Sequence, residues 1–158
     1  MKKPLPLKDI QKIYDKYKKF IWKEIPNQTK INWKIKEIKF KEDNKEYWSA
    51  FKDTIFIGNY YKSQSKIIAS IIHESIHLNT LNKQIIGSKE NFFAREIATC
   101  ILTNLIVRKL NKRFNKRFKK NRFDEDYKKY EHKSNEFERK GKDMNFYEFF
   151  ELIKKSIN

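Results

Sequence analysis

The sequence has few of the residues that crosslink or divide a chain: one cysteine, three glycines and three prolines among 158 residues. A lone cysteine, Cys100, excludes an intramolecular disulfide framework. Neither an internal repeat nor a Gly-, Ser- or Pro-rich linker separates one part from another. We therefore expect a single domain over residues 1–158, with a core over about 7–110 and a C-terminal helical part over 111–158.

Long apolar segments are also absent. No stretch approaches the roughly 20 apolar residues that a helix needs to cross a bilayer. The N-terminus runs into a charged, helix-compatible segment and lacks the apolar core of a signal peptide. We therefore expect a cytoplasmic protein without a membrane span.

The strongest chemical signal is one short motif, His73-Glu74-Ser75-Ile76-His77, inside an apolar run that is compatible with a helix. Positions i and i+4 of a helix share one face, so the imidazoles of His73 and His77 can bind a single Zn²⁺. Glu74 would then point at a water held by the metal. The pattern is typical of zinc metallopeptidases, and a peptide or protein is the expected substrate.

Two histidines are an incomplete ligand set, because a catalytic zinc usually has three protein ligands. Glu96 lies nineteen residues after His77, in a segment whose apolar spacing predicts another helix. With these residues the chain resembles the gluzincin clan of metallopeptidases, particularly minigluzincins and ImmA/IrrE-like peptidases. The resemblance covers about 54–110. It implies that His73, His77 and Glu96 bind Zn²⁺ and that Glu74 is the general base.

The same resemblance implies an α+β, zincin-like minimal core. Its expected order is an N-terminal helix, a small mixed sheet, the active-site helix, the glutamate helix and C-terminal helices. A strand just before the active-site helix, Thr54 to Gly58 here, would form the upper rim of the cleft and pair with the substrate backbone.

Other zinc families and ligands fit the sequence less well. A metzincin needs a glycine and a third histidine soon after the motif, and a peptide deformylase needs an upstream cysteine; both are absent. SprT-like proteases use a third histidine, and only the distant His132 remains. Glu90 could replace Glu96 as a ligand, although it lies where the next helix should begin. Cys100 fits better as a small buried apolar residue.

Apolar spacing predicts the remaining elements. A helix is expected over 7–24, ending before Pro26, and a strand over 31–40 with a bulge near Lys36-Glu37. After residue 122 we expect two helices, one from Phe123 and one over 146–153, with Asp143 as the N-terminal cap of the second. His132, Tyr127 and Tyr130 in this region are candidates for stabilising a transition state.

Positive charge is concentrated in one segment. The net charge is +17, and nine of the fifteen residues from Arg108 to Arg122 are Lys or Arg. Such a segment can bind a phosphate backbone by counterion release. The candidate nucleic-acid contacts are Arg108, Lys109, Lys112, Arg113, Lys116 and Arg117.

The charge of this basic segment also has three explanations other than nucleic-acid binding. Leu110, Phe114 and Phe118 recur at helical spacing, so the charges could be the solvated face of a continuing glutamate helix. Lysine is also common throughout the chain, as in proteins of AT-rich genomes. An acidic protein partner would fit the same charge. A basic binding protein on a zincin-like scaffold is therefore the alternative to an enzyme.

Overall fold

The computed structural model describes residues 5–59, 62–80 and 88–158. These residues form an α+β structure, which confirms the predicted fold class. The helices are α1 (Leu7–Thr29), α2 (Gln64–Asn79), α3 (Lys89–Phe114), α4 (Ser134–Lys140) and α5 (Phe146–Ile157), and a 3-10 helix over Lys128–Lys133 precedes α4. The strands are β1 (Lys39–Glu42), β2 (Ser49–Phe51) and β3 (Thr54–Ile57). None of the described helices is long and apolar enough to cross a membrane.

Helix α2 lies at the centre of the molecule, in contact with α1, α3 and the sheet. All of its residues from 67 to 79 are buried, including both histidines of the motif. A helix that is buried on every side must be surrounded by other elements. The position of α2 explains why its run of isoleucines, at 67, 68, 71, 72 and 76, shows no polar face.

The sheet has the order β1-β3-β2, with β1 parallel and β2 antiparallel to β3. Because β3 is the central strand, both of its edges are paired, and it cannot pair with a substrate. The prediction that the Thr54 to Gly58 segment forms the substrate rim is therefore wrong. Among the described strands, β1 and β2 each pair with β3 alone, so each of them has a second edge that could accept a peptide.

The predicted strand over 31–40 is wrong for most of its length, since only Lys39–Glu42 pairs with another strand. Ile31, Trp33 and Ile35 nevertheless pack against the core. The amide of Asn79 donates a hydrogen bond to the Ile31 carbonyl at 3.0 Å. The alternating pattern therefore reflects an extended segment that is held by side chains, without a partner strand.

The predicted end of α1 is also wrong, because the helix continues past Pro26 to Thr29. Proline has no N–H, so the carbonyl of Trp22, four residues earlier, loses its usual helical partner. The indole of Trp33 replaces it by donating to the Trp22 carbonyl at 2.9 Å. The helix accommodates the proline because a side chain outside it satisfies the orphaned acceptor.

We expect Trp33→Phe to lower the free energy of unfolding by about 1–2 kcal/mol, because a partly buried carbonyl loses its donor. The Pro26→Ala background supplies the control, since alanine at this position regains an N–H that can reach the Trp22 carbonyl. In the Pro26→Ala background, Trp33→Phe should lower the free energy of unfolding by a clearly smaller amount. Urea unfolding of the four proteins in this double-mutant cycle measures the difference. An equal loss of unfolding free energy in both backgrounds would contradict the idea that the Trp33 indole replaces the N–H that Pro26 lacks.

The chain reverses direction at the end of α3. Asn115 adopts the left-handed conformation, with φ of 51°, and caps the helix. We call residues 116–124 the return segment, because they run back beside α3. Phe118 belongs to this segment and packs on Tyr17, so its predicted place on a continuous helix is wrong. Helical spacing in the sequence did not reveal the cap at Asn115.

Two asparagines of α3 hold the return segment by the same pattern of bonds. Asn111 accepts from the backbone N–H of Phe118 and donates to its carbonyl, both at 2.9 Å. Two turns earlier, Asn104 makes the same pair of bonds with Asn121, at 2.7 and 2.9 Å. The backbone N–H of Lys119 also donates to the Ser65 carbonyl of α2 at 2.8 Å. The return segment is therefore fixed to both α2 and α3.

The C-terminal helices differ from the prediction in two details. No α-helix begins at Phe123; the buried Phe123 and Tyr127 precede the 3-10 helix and α4. Helix α5 is capped by Asn145, whose side chain accepts from the N–H of Glu148 while the Glu148 carboxylate accepts from the N–H of Asn145. This capping box replaces the expected Asp143 cap.

Candidate metal centre

Three side chains from two helices bring their ligand atoms together. His73 and His77 lie one turn apart on α2, and Glu96 lies early in α3. The Nε2 atom of His73 is 3.0 Å from Glu96 Oε2, and the Nε2 atom of His77 is 2.9 Å from Glu96 Oε1. The two Nε2 atoms are 3.1 Å apart. These three residues form a cluster that could hold a metal ion.

The donor chemistry of this cluster fits zinc. Imidazole nitrogen and carboxylate oxygen are both common zinc ligands, and imidazole also suits copper, iron and nickel. Ligand atoms around a tetrahedral ion with bonds of ~2.0–2.1 Å lie roughly 3.3 Å apart. The spacings of 2.9 to 3.1 Å among these three residues are close to that value. Three protein ligands also leave one position of a tetrahedral ion for water or substrate.

The alternative ligands lie less favourably than Glu96. Glu90 is exposed in the first turn of α3. Cys100 is buried, and its sulfur lies 3.9 Å from Nδ1 of His73, the ring nitrogen that is not part of the cluster. Among the described residues the cluster contains neither of them. Cys100 is thus a buried neighbour of one ligand.

The pKa values of two side chains in the cluster are shifted by their surroundings. Burial alone lowers the pKa of His73, but contacts with Cys100 and Glu96 outweigh burial and raise this pKa well above its ordinary value. Burial raises the pKa of Glu96, yet His77 and His73 together hold it well below its usual range. Glu96 is therefore an anion at neutral pH, which is the form that binds a metal cation.

Glu74 shares a cavity with the cluster. The cavity has a volume of about 210 Å³, and its walls include His73, Glu74, Glu96, Trp48 and Tyr127. The side chain of Glu74 is buried, and it makes no hydrogen bond or ion pair with any described residue. Glu74 therefore lies beside the cluster, in the same cavity.

One important residue of the site, Asn121, was missed by sequence reasoning. Its side-chain amide lies 2.7 Å from Nδ1 of His73. If the side-chain amide is rotated by 180°, Oδ1 lies at the same point and can accept a hydrogen bond from the Nδ1–H of His73 when Nε2 binds a metal. Asn104 fixes the backbone of Asn121, so a residue of α3 orients a histidine of α2 through the return segment. No short motif marks a contact of this kind.

We expect Asn121→Ala to weaken zinc binding by roughly 10–100-fold, because a metal ligand loses the group that orients it. Asn121→Asp should retain most of the affinity, since a carboxylate also accepts from Nδ1–H. Asn111→Ala is the matched control, because it frees the same return segment without touching His73. Competition with a chromogenic chelator measures all three. An equal loss of zinc affinity in Asn111→Ala would show that zinc binding depends on the attachment of the return segment and not on the amide of Asn121.

The three candidates for stabilising a transition state lie in different places. Tyr127 lines the cavity of the cluster. Burial raises the pKa of its phenol, and Cys100, Glu96 and Asp124 add to the rise, so the hydroxyl stays protonated and can donate. His132 lines a different cavity, and the hydroxyl of Tyr130 lies 3.5 Å from the Ile157 carbonyl. Their location favours Tyr127.

The basic segment is divided between two surfaces. Arg108 and Lys109 lie on α3 and pair with Glu138 and Glu24, respectively. The other predicted nucleic-acid contacts are exposed around the end of α3, at Lys112, Arg113, Lys116 and Arg117. The last three cations of the segment follow on the return segment, towards the cluster. The nine charges therefore do not form one continuous helical face.

Comparisons of the chain with family models, with curated proteins and with solved structures gave no match. What the chain can do must therefore be argued from the geometry of the cluster and its surroundings.

Proposed function

We propose that the protein is a zinc-dependent metallopeptidase of the gluzincin type. The observation that carries the proposal is the cluster of His73, His77 and Glu96, with Glu74 in the same cavity and without a partner among the described residues. In the proposal the first three residues hold zinc. When bound, zinc supplies Lewis acidity, which activates a water and polarises a carbonyl at neutral pH.

Glu74 is the proposed general base. Its carboxylate takes a proton from the attacking water and passes the proton to the leaving amine. Glu96 keeps its negative charge, and Asn121 holds the ring of His73 in place. Tyr127, with its protonated phenol in the same cavity, is the proposed donor to the oxygen on which negative charge develops.

The substrate is proposed to lie along β2. Tyr47 and Trp48 directly precede this strand and line the cavity of the cluster. An extended peptide can add to a free sheet edge through backbone hydrogen bonds. Gly58 supports this wall, since a Cβ atom there would come within 2.5 Å of the carbonyl carbon and oxygen of Tyr47.

The test is zinc content together with cleavage of an unfolded protein. Protein purified without chelators or a histidine tag should contain one zinc per chain by elemental mass spectrometry. Chelation should abolish cleavage, and added zinc should restore it. The proposal would be overturned by protein that binds no zinc on reloading, or by a zinc-loaded protein that cleaves no unfolded substrate.

A further inference from the structure

A second cavity, with a volume of about 420 Å³, is strongly basic. We call it the basic groove. Its cations come from two parts of the chain: α2 and the residues before it, and the return segment. They are Lys62, Lys66, Lys119, Lys120 and Arg122. No acidic residue lines the groove in the described part of the chain.

The cations of the basic groove are not held in ion pairs with described side chains. Within residues 5–59, 62–80 and 88–158, none of its five cations forms an ion pair. Burial lowers the pKa of Lys62; Glu74 opposes this effect, and Lys66 adds to it. A set of like charges in one cavity raises the free energy of the protein. A bound anion would lower it.

The basic groove and the cavity of the cluster are adjacent. Lys62, Ser70, Asn121 and Arg122 line both of them. A chain that crosses the cluster therefore places its neighbouring residues in the groove. The return segment connects the two, because Asn121 contacts His73 while Lys119, Lys120 and Arg122 face the groove.

We propose that the basic groove binds acidic side chains of the substrate, next to the peptide bond that is cleaved. This inference rests on the proposed peptidase function. Carboxylates of Asp and Glu fit a groove that offers several ammonium groups and a guanidinium. A single-stranded nucleic acid fits less well, because such sites combine positive charge with aromatic side chains that stack on bases. The described lining of the groove has no aromatic residue.

Binding is measured first, with the inactive Glu74→Gln protein loaded with zinc. The probes are a fluorescein-labelled peptide with several glutamates and the same peptide with glutamines in their place. We expect the acidic peptide to bind at least about tenfold more tightly, because several charge pairs form at once. Fluorescence anisotropy gives both affinities, and the difference should shrink as salt is raised.

The decisive variant is Lys119→Glu with Lys120→Glu, which reverses two charges of the groove. In this variant the acidic peptide should bind no more tightly than the glutamine peptide. Lys112→Glu with Lys116→Glu makes the same change in net charge on either side of the cap at Asn115, outside the lining of the groove, and should keep the affinity ratio of the two peptides. The inference is overturned if the peptides bind equally to the unmodified groove, or if both variants lose the preference alike.

Two further arms separate the inference from its alternatives. A labelled single-stranded oligonucleotide that binds more tightly than the acidic peptide, and is released by Lys119→Glu with Lys120→Glu, would overturn it in favour of nucleic acid. Cleavage by the zinc-loaded wild type tests the peptidase function separately. Binding without cleavage would support the groove and reject the peptidase, whereas equal cleavage of both peptides would support the peptidase and reject the groove.

Discussion

Glu74→Gln should reduce peptide hydrolysis by about 10²–10⁴-fold while the protein keeps its zinc, since this is the usual contribution of a general base. Glutamine has nearly the shape of glutamate, so the buried side chain should still fit between its neighbours. It cannot accept the proton of the attacking water. We therefore expect kcat to fall and KM to change little. The measurement is steady-state hydrolysis of a fluorogenic peptide, beside zinc analysis of the same samples.

Glu90→Gln is the matched control for this substitution. It makes the same chemical change on the exposed first turn of α3. Activity and zinc content should both remain at the wild-type level. If Glu74→Gln loses its zinc, Glu74 has a structural part in the centre and the assignment as base is wrong. Full activity of Glu74→Gln would reject the mechanism outright.

Glu96→Ala should remove most of the zinc and, with it, the stabilisation that zinc gives the folded protein. Two histidines remain, but the anionic ligand that the cluster depends on is lost. Zinc that binds only the folded state stabilises it by about 2.7 kcal/mol when its concentration is 100 times Kd. We therefore expect added zinc to raise the Tm of the wild type by several degrees and to leave the Tm of Glu96→Ala almost unchanged.

Two comparisons make the Glu96 result specific. Glu90→Ala removes the alternative carboxylate and should retain both zinc and the rise in Tm. Cys100→Ala removes the buried thiol near His73 and should retain them as well. If Glu90→Ala loses its zinc while Glu96→Ala retains it, the third ligand is Glu90 and the assignment of Glu96 is wrong. Thermal unfolding followed by circular dichroism, with zinc and with chelator, measures all of these proteins.

The sequence predicted the elements whose signal is local. His73 and His77 are four residues apart on one buried helix, so helical geometry alone places their rings together. Glu96 follows from the next helix and from the resemblance to gluzincins, and the structure brings its carboxylate within 3.0 Å of both imidazoles. Periodicity also identified most of α1 and the strand β3.

Features that depend on contacts between distant residues were missed. The strand order is set by pairing of β3 with β1 and β2, and a pattern within β3 does not reveal that both of its edges are paired. Helical spacing was compatible with Phe118 on a continuing α3. The sequence does not distinguish Asn115, which ends the helix, from the other asparagines of the chain. Pro26 was assigned to the end of α1, because its compensating donor, Trp33, is distant in sequence.

The way Asn121 reaches His73 has a consequence for the order in which the site is built during synthesis. His73 and Glu96 are 23 residues apart, whereas His73 and Asn121 are 48 apart. Closing the shorter loop costs less conformational entropy. The ribosome also makes His73, His77 and Glu96 before it makes the return segment. In the proposed metal centre, α2 and α3 can thus bring the three ligands together first, and Asn121 orients His73 only after the return segment has been made.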